Sequence, residues 1–173
     1  MNNPQELAKL RAMIDELKAD ADIQVKSLDI IGYASPEGSL ANNKRLSEGR
    51  ALALRDYLAG LYDFPRFQYN ILFGGENWAG LVKTLQHTNI DYRKELLNMI
   101  TNNPYDQTLK LKLREFRGGI PYQYLLRSVY PKLRVAICKV NYEVKNFKVD
   151  EAREVFKKRP QNLSLDEMFF GGQ

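Results

Sequence analysis

Residues 32–50, GYASPEGSLANNKRLSEGR, combine groups that could bind an anion. A loop of glycine and small polar residues follows an apolar run and leads into a predicted helix, whose unpaired amino-terminal N–H groups suit an anionic ligand. Asn43, Ser47 and Arg50 fall on one stripe of that helix. Helical side chains lean toward the amino-terminus, so Arg50 can reach back toward the loop. A fixed guanidinium beside free N–H groups suits a carboxylate.

The loop itself offers further candidates, but it also allows a purely structural interpretation. Gly38 permits close approach of a ligand to the backbone, and Ser35 can cap the helix or donate a hydrogen bond. In the structural alternative Asn43 only caps the helix, while Arg50 pairs with Glu37 or another carboxylate at the surface. The residue types alone leave both interpretations open.

Hydrophobic spacing predicts the elements that position these residues. Asn3 and Pro4 begin an amphipathic helix. Residues 23–34 are predicted to form a strand with a bulge or a late start, and residues 136–144 a third strand. Residues 67–73 are predicted to form a second strand, whose one core face carries Phe67, Tyr69, Ile71 and Phe73. The helix between the first two strands implies that they are parallel, with a right-handed connection. The order predicts an α/β (α+β) two-layer sandwich, in which helices cover a small mixed sheet.

Residues 76–131 are predicted to be a helical insertion before the last strand. TLKLKLREF fits both a strand and a helix, and its Lys and Leu content favours a helix. Trp78 is expected to anchor the inserted helices in their core. Tyr122, Tyr124 and Tyr130 belong either to that core or to a surface that stacks on a sugar. The basic side chains of this region are predicted to form a solvated helix face: Lys110, Lys112, Arg114 and Arg117.

Composition and charge limit the classes of protein to which this chain is expected to belong. The 173 residues are 44% hydrophobic and 27% charged, which fits one globular domain. No apolar run is long enough to cross a bilayer, and no leader opens the chain. The net charge of +5 mildly favours an anionic partner, but the basic residues are spread too widely to predict nucleic-acid binding. Cys138 is expected in the core, and His87 at a helix end without a second metal ligand. We expect no metal, no cofactor and no catalysis, because no nucleophile is paired with a base.

The stretch GYASPEGSLANNKRLSEGRALALRDYL resembles the core motif of the OmpA-like (outer-membrane protein A C-terminal, peptidoglycan-associating) family. That motif runs approximately G-H-T-D-S-x-G, a spacer, N-x-x-L-S-x-x-R-A and an apolar helix ending in Y-L. Leu133-Arg134-Val135 looks like the end of the family's N-R-R-V strand motif. The GYASPEG loop is similar to a Bacteroides-type variant. The residues that match the core motif are Gly32, Gly38, Asn43, Leu46, Ser47, Arg50, Ala51, Tyr57 and Leu58.

The resemblance implies a non-catalytic periplasmic domain of an outer-membrane or lipoprotein-type protein that associates with the cell wall. In the typical family a loop aspartate holds the ammonium, and a helix arginine the carboxylate, of diaminopimelate in the peptidoglycan stem peptide. Arg50 matches the family's helix arginine. At the position of the family's loop aspartate this sequence has Ser35. Glu37 could compensate if the loop points it inward. The residues that the resemblance places at the ligand site are Ser35, Glu37, Gly38, Asn43, Ser47, Arg50 and Arg134.

Two functions therefore remain open. The domain binds peptidoglycan weakly or in altered form, or it keeps the OmpA-like fold without peptidoglycan binding and contacts other cell-envelope proteins. The family-like domain is expected over residues 1–150, without the first strand of the family. Residues 151–173 are expected to begin a further helical region, cut short, of a larger protein.

Overall fold

A computed structural model describes residues 3–145, 156–164 and 170–171 of the chain, with side chains over residues 3–145. Its strands are β1 (Ile23–Ala34), β2 (Tyr69–Glu76), β3 (Val135–Lys145), β4 (Phe156–Ser164) and β5 (Phe170–Gly171). Its α-helices are α1 (Pro4–Ala19), α2 (Leu40–Ala59), α3 (Trp78–Gln86), α4 (Arg93–Thr101), α5 (Gln107–Glu115), α6 (Ile120–Tyr124) and α7 (Tyr130–Leu133). A π-helical stretch, Leu125–Val129, joins the last two helices, and 3₁₀ turns occupy Arg66–Gln68 and Phe116–Gly119.

The sheet is mixed, as the element order predicted. β1 lies between β2, to which it is parallel, and β3, to which it is antiparallel. The backbones of β4 and β5 both pair antiparallel with β3. The register between β1 and β3 shifts between Val25 and Ser27, in the part of the strand where the apolar alternation of the sequence changes phase. Helices packed on this sheet give the α/β two-layer sandwich expected from the sequence.

Two hydrophobic cores organise the fold. In the first, α1 and α2 pack on one face of the sheet, and Cys138 is buried there as predicted. The second lies within the inserted helices and contains Trp78, the predicted anchor.

Helix α5 confirms the helical interpretation of TLKLKLREF. His87 ends α3, with its Nδ1 2.8 Å from the carbonyl oxygen of Lys83. No helix in the described part of the chain is long and apolar enough to cross a bilayer.

Two sequence predictions about burial and secondary structure were wrong. The second strand was expected to bury Phe67 and Phe73, but these side chains are 81% and 53% exposed. Phe67 lies in a 3₁₀ turn, and Phe73 lies on β2, which pairs only with β1 among the described strands. The predicted helical region over residues 151–173 is also not found, because its described parts are β4 and β5. The rest of that region lies outside the described residues.

Candidate functional site

A polar cleft of about 530 Å³ opens beside the loop between β1 and α2. The Ser39 side chain caps α2 by accepting a hydrogen bond from the Asn42 N–H at 3.2 Å. Gly38 has a φ of 73°, a left-handed conformation that glycine adopts without steric cost. The cleft is lined by the loop, by the first turns of α2, by Tyr122 of the insertion and by Arg134, which follows the insertion.

Six of the seven predicted site residues line this one cleft: Ser35, Glu37, Gly38, Asn43, Arg50 and Arg134. Ser47 is the exception, because it does not line the cleft. Its side chain is fully buried and its Oγ donates to the Lys44 carbonyl at 2.9 Å, because α2 turns this position toward β1. The cleft also contains Asn42 and Leu46, which were not predicted as ligand contacts, and Tyr122, which was considered only for sugar stacking.

Arg50 lies at the cleft with most of its side chain buried. The residue is 7% exposed, its Nη1 donates to the Tyr33 carbonyl at 3.0 Å, and its Nε has no hydrogen-bond partner. None of the salt bridges formed within residues 3–145 involves Arg50. The alternative in which Arg50 pairs with Glu37 is therefore wrong. Burial lowers the pKa of the Arg50 guanidinium, and the positive charge of Arg134 lowers it further.

Arg134 has the carboxylate partner that was considered for Arg50. Its Nη2 donates to Glu37 Oε1 at 2.6 Å, and its Nε donates to Ser35 Oγ at 3.1 Å. Both side chains of the ion pair are only partly exposed, Arg134 at 22% and Glu37 at 31%. One guanidinium thus holds both loop side chains that were considered as partners for a ligand ammonium.

A buried polar network supports the loop from behind. The ammonium of Lys110 on α5 contacts the carboxylate of Glu76 at the end of β2, and it donates to the Gly38 carbonyl at 3.1 Å. The Nδ2 of Asn43 donates to the Glu37 carbonyl at 2.6 Å and to Glu76 Oε2 at 2.7 Å. Trp78 Nε1 donates to Glu76 Oε1 at 3.1 Å. These bonds fix the loop backbone to α2, β2 and the insertion.

Lys110 is therefore a correction to the predicted solvated basic face. Its side chain is 6% exposed, whereas the same helix leaves Lys112 exposed, with its Nζ 3.0 Å from Asn103 Oδ1. Helical spacing places Lys110 beside the buried Leu109 and Leu113, and Glu76 provides the negative charge that makes this burial tolerable. The sequence of this helix does not distinguish Lys110 from a surface lysine. The distinction comes from its partner Glu76, which belongs to another element.

Tyr122 is the one tyrosine of the three considered for sugar stacking that lines the cleft. Its ring packs edge-on against Tyr130 at a centroid distance of 5.9 Å and an interplanar angle of 89°. Tyr130 is fully buried, and Tyr124 packs against the second core. Sugar stacking at Tyr122 stays a prediction.

The chain matches no protein-family model, no curated protein and no solved structure. The resemblance to the OmpA-like family therefore depends on the motif residues quoted above. Membership in that family, the periplasmic location and the cell-wall partner stay predictions.

Proposed function

We propose that this domain is a non-catalytic cell-wall-associating module of the periplasm, attached to the outer membrane through a larger protein. Its cleft binds a carboxylate of the peptidoglycan stem peptide. The observation that carries the proposal is Arg50. This residue lines the cleft, is 7% exposed and has no carboxylate partner within residues 3–145.

Burial of an unpaired charge is costly, and a fold seldom keeps such a group for stability alone. Arg50 makes one hydrogen bond to a carbonyl and leaves its Nε without a partner. A ligand carboxylate would satisfy the remaining charge, and guanidinium groups bind carboxylates through two parallel hydrogen bonds. The neighbouring charge of Arg134 adds to the attraction for an anion.

Two further features support binding rather than catalysis. Glu37 is the one carboxylate among the described residues that line the cleft, and it is held in an ion pair with Arg134 rather than paired with a nucleophile, as a general base would be. The motif residues around Arg50 also resemble those of a family that binds the cell wall without chemistry. Within this proposal Ser35 contributes no charge, so the contacts to a stem peptide differ from those of the typical family, in which a loop aspartate binds the ligand ammonium.

Co-sedimentation with purified peptidoglycan sacculi tests the proposal. We expect wild-type protein to pellet with the sacculi and Arg50→Met to remain in the supernatant. The lost charge-assisted hydrogen bonds correspond to about 1.5 to 3 kcal/mol, or about tenfold to a hundredfold in affinity. The matched control is Arg55→Met on the same helix, because Arg55 pairs with Asp56 at the surface and does not line the cleft.

The outcome separates the two functions left open by the sequence. Retention of wild type and Arg55→Met, but not Arg50→Met, supports cell-wall binding at the cleft. Equal flow-through of all three proteins contradicts it and favours a domain that contacts other cell-envelope proteins. Equal retention of all three places any wall contact outside the cleft.

A further inference from the structure

The charged groups around the cleft leave one positive charge uncompensated. Arg134 and Glu37 neutralise each other, and behind the loop Lys110 and Glu76 do the same. Arg50 is the remaining charge among the described residues that line the cleft. A bound carboxylate would balance it, whereas a bound ammonium would add a further positive charge beside two guanidinium groups.

The loop side chains that a ligand ammonium could use as acceptors already bond to Arg134. Ser35 Oγ accepts from Arg134 Nε at 3.1 Å, and Glu37 Oε1 accepts from Arg134 Nη2 at 2.6 Å. Glu76 lies behind the loop, and both of its carboxylate oxygens accept hydrogen bonds from protein groups. A ligand ammonium that reached the other oxygen of Glu37 would share this carboxylate with Arg134 and lie beside its guanidinium, so the charge of its partner would already be balanced.

We infer that the cleft selects a carboxylate whose neighbouring nitrogen is acylated and uncharged, and discriminates against a free zwitterion. The chemical class is the carboxy-terminal end of a peptide or another N-acylamino acid. This inference rests on the proposed function, because it concerns the same cleft and assigns the chemistry of the end that is bound. Arg50 binds the carboxylate, and the cationic surroundings set the selectivity.

Three small probes of the same backbone test the inference: N-acetylglycine, glycine and N-acetylglycinamide. Glycine differs from the first by its free ammonium, and the amide differs from the first by its missing carboxylate. Each is titrated into the ¹⁵N-labelled 173-residue chain while the amide signals of Gly38 and Asn43 are followed by NMR. We expect N-acetylglycine to bind at least about tenfold more tightly than glycine, since like charges repel at a partly desolvated site. The amide is expected to cause no shift at the cleft.

A charge-restoring variant gives a second readout. Ser35→Asp places a carboxylate beside Arg134 and cancels the excess charge, so the preference for N-acetylglycine over glycine should shrink by about tenfold. Arg50→Met should abolish the shifts caused by N-acetylglycine, and Arg55→Met should leave them unchanged. The two cleft variants thus separate the charge that binds the carboxylate from the charges that exclude the ammonium.

Each remaining outcome has a defined meaning. Glycine binding as tightly as N-acetylglycine, the amide binding as tightly as the acid, or no cleft shift with any probe overturns the inference. Arg50-dependent retention on sacculi combined with equal binding of glycine and N-acetylglycine overturns only this inference and leaves the proposed function standing. Preference for N-acetylglycine without retention on sacculi overturns only the proposed function.

Discussion

The ammonium of Lys110 and the carboxylate of Glu76 form a salt bridge in which the two side chains are 6% and 4% exposed. Lys110 belongs to the insertion and Glu76 to the end of β2, so the pair joins the second core to the sheet. The same ammonium also bonds the Gly38 carbonyl. The insertion thereby holds the loop that forms one wall of the cleft.

Removal of one partner of this salt bridge should destabilise the fold. Lys110→Met leaves the Glu76 carboxylate buried and unpaired, so we expect a loss of about 3 kcal/mol in the free energy of unfolding, measured by urea denaturation. The double variant Glu76→Gln/Lys110→Met buries no charge and should recover at least about half of that loss. Lys112→Met, on the exposed side of the same helix, should change stability by less than about 0.5 kcal/mol. A loss for Lys110→Met no larger than for Lys112→Met would contradict the structural role.

The close packing of α2 on β1 predicts opposite effects for two glycines. A Cβ on Gly32 would lie 2.0 Å from the Ser47 carbonyl oxygen and 2.7 Å from the Ala51 nitrogen, both backbone atoms. Gly32→Ala must push the helix away from the strand and should cost about 3 kcal/mol or more of stability. A Cβ on Gly49 meets no atom within 4 Å, so Gly49→Ala should stabilise the helix by about 0.5 to 1 kcal/mol. Thermal unfolding of both variants checks this, and a mild effect of Gly32→Ala would show that the two elements pack less closely.

Arg50 should be nearly neutral for stability although it is buried. Arg50→Met removes a desolvated charge and keeps an apolar stem, while it gives up the hydrogen bond to Tyr33. The two effects oppose each other, so the free energy of unfolding should stay within about 1 kcal/mol of wild type or rise. Urea denaturation of Arg50→Met measures the difference. A loss above about 2 kcal/mol would indicate that Arg50 serves the fold and not a ligand.

Cys138 predicts a loss of stability at alkaline pH. Burial, with a smaller contribution from the negative charge of Asp29, raises the pKa of the thiol to about 12. The folded protein keeps this proton where the unfolded chain loses it, so the stability from this group is intact below about pH 8 and falls as the pH rises from there toward 12. Between pH 7.5 and 9.5 wild type should lose about 1 kcal/mol more than Cys138→Ala. Parallel losses in the two proteins would show that the thiol does not contribute.

Local patterns were sufficient for most of the fold. Alternation and helical spacing fix which segments are strands and helices, and a helix between two strands fixes their parallel order. The exposure of Phe67 and Phe73 was not predictable in this way. It depends on the position of β2 at the edge of the described sheet and on the 3₁₀ turn that precedes this strand. The pairing of β4 with β3 was missed because the residues of β4 lack a clear apolar alternation, although β3 directly precedes β4 among the described strands.

The site was predictable where a motif lies within one stretch of chain. The stripe that carries Asn43 and Arg50 is visible from helical spacing. The bonds from Arg134 to Ser35 and Glu37 span 99 and 97 residues of sequence, and only the folded sheet brings them together. Lys110 lies 72 residues from Gly38, and its burial depends on a carboxylate that no local pattern connects with it.

A crystal structure of the protein with a soluble stem-peptide fragment tests the central claim most directly. The account predicts a ligand carboxylate in the cleft, with its oxygens within about 3 Å of the Arg50 guanidinium. The Glu37–Arg134 ion pair should remain closed beside the bound ligand. A fragment bound elsewhere on the protein, or one whose carboxylate points away from Arg50, would contradict the account.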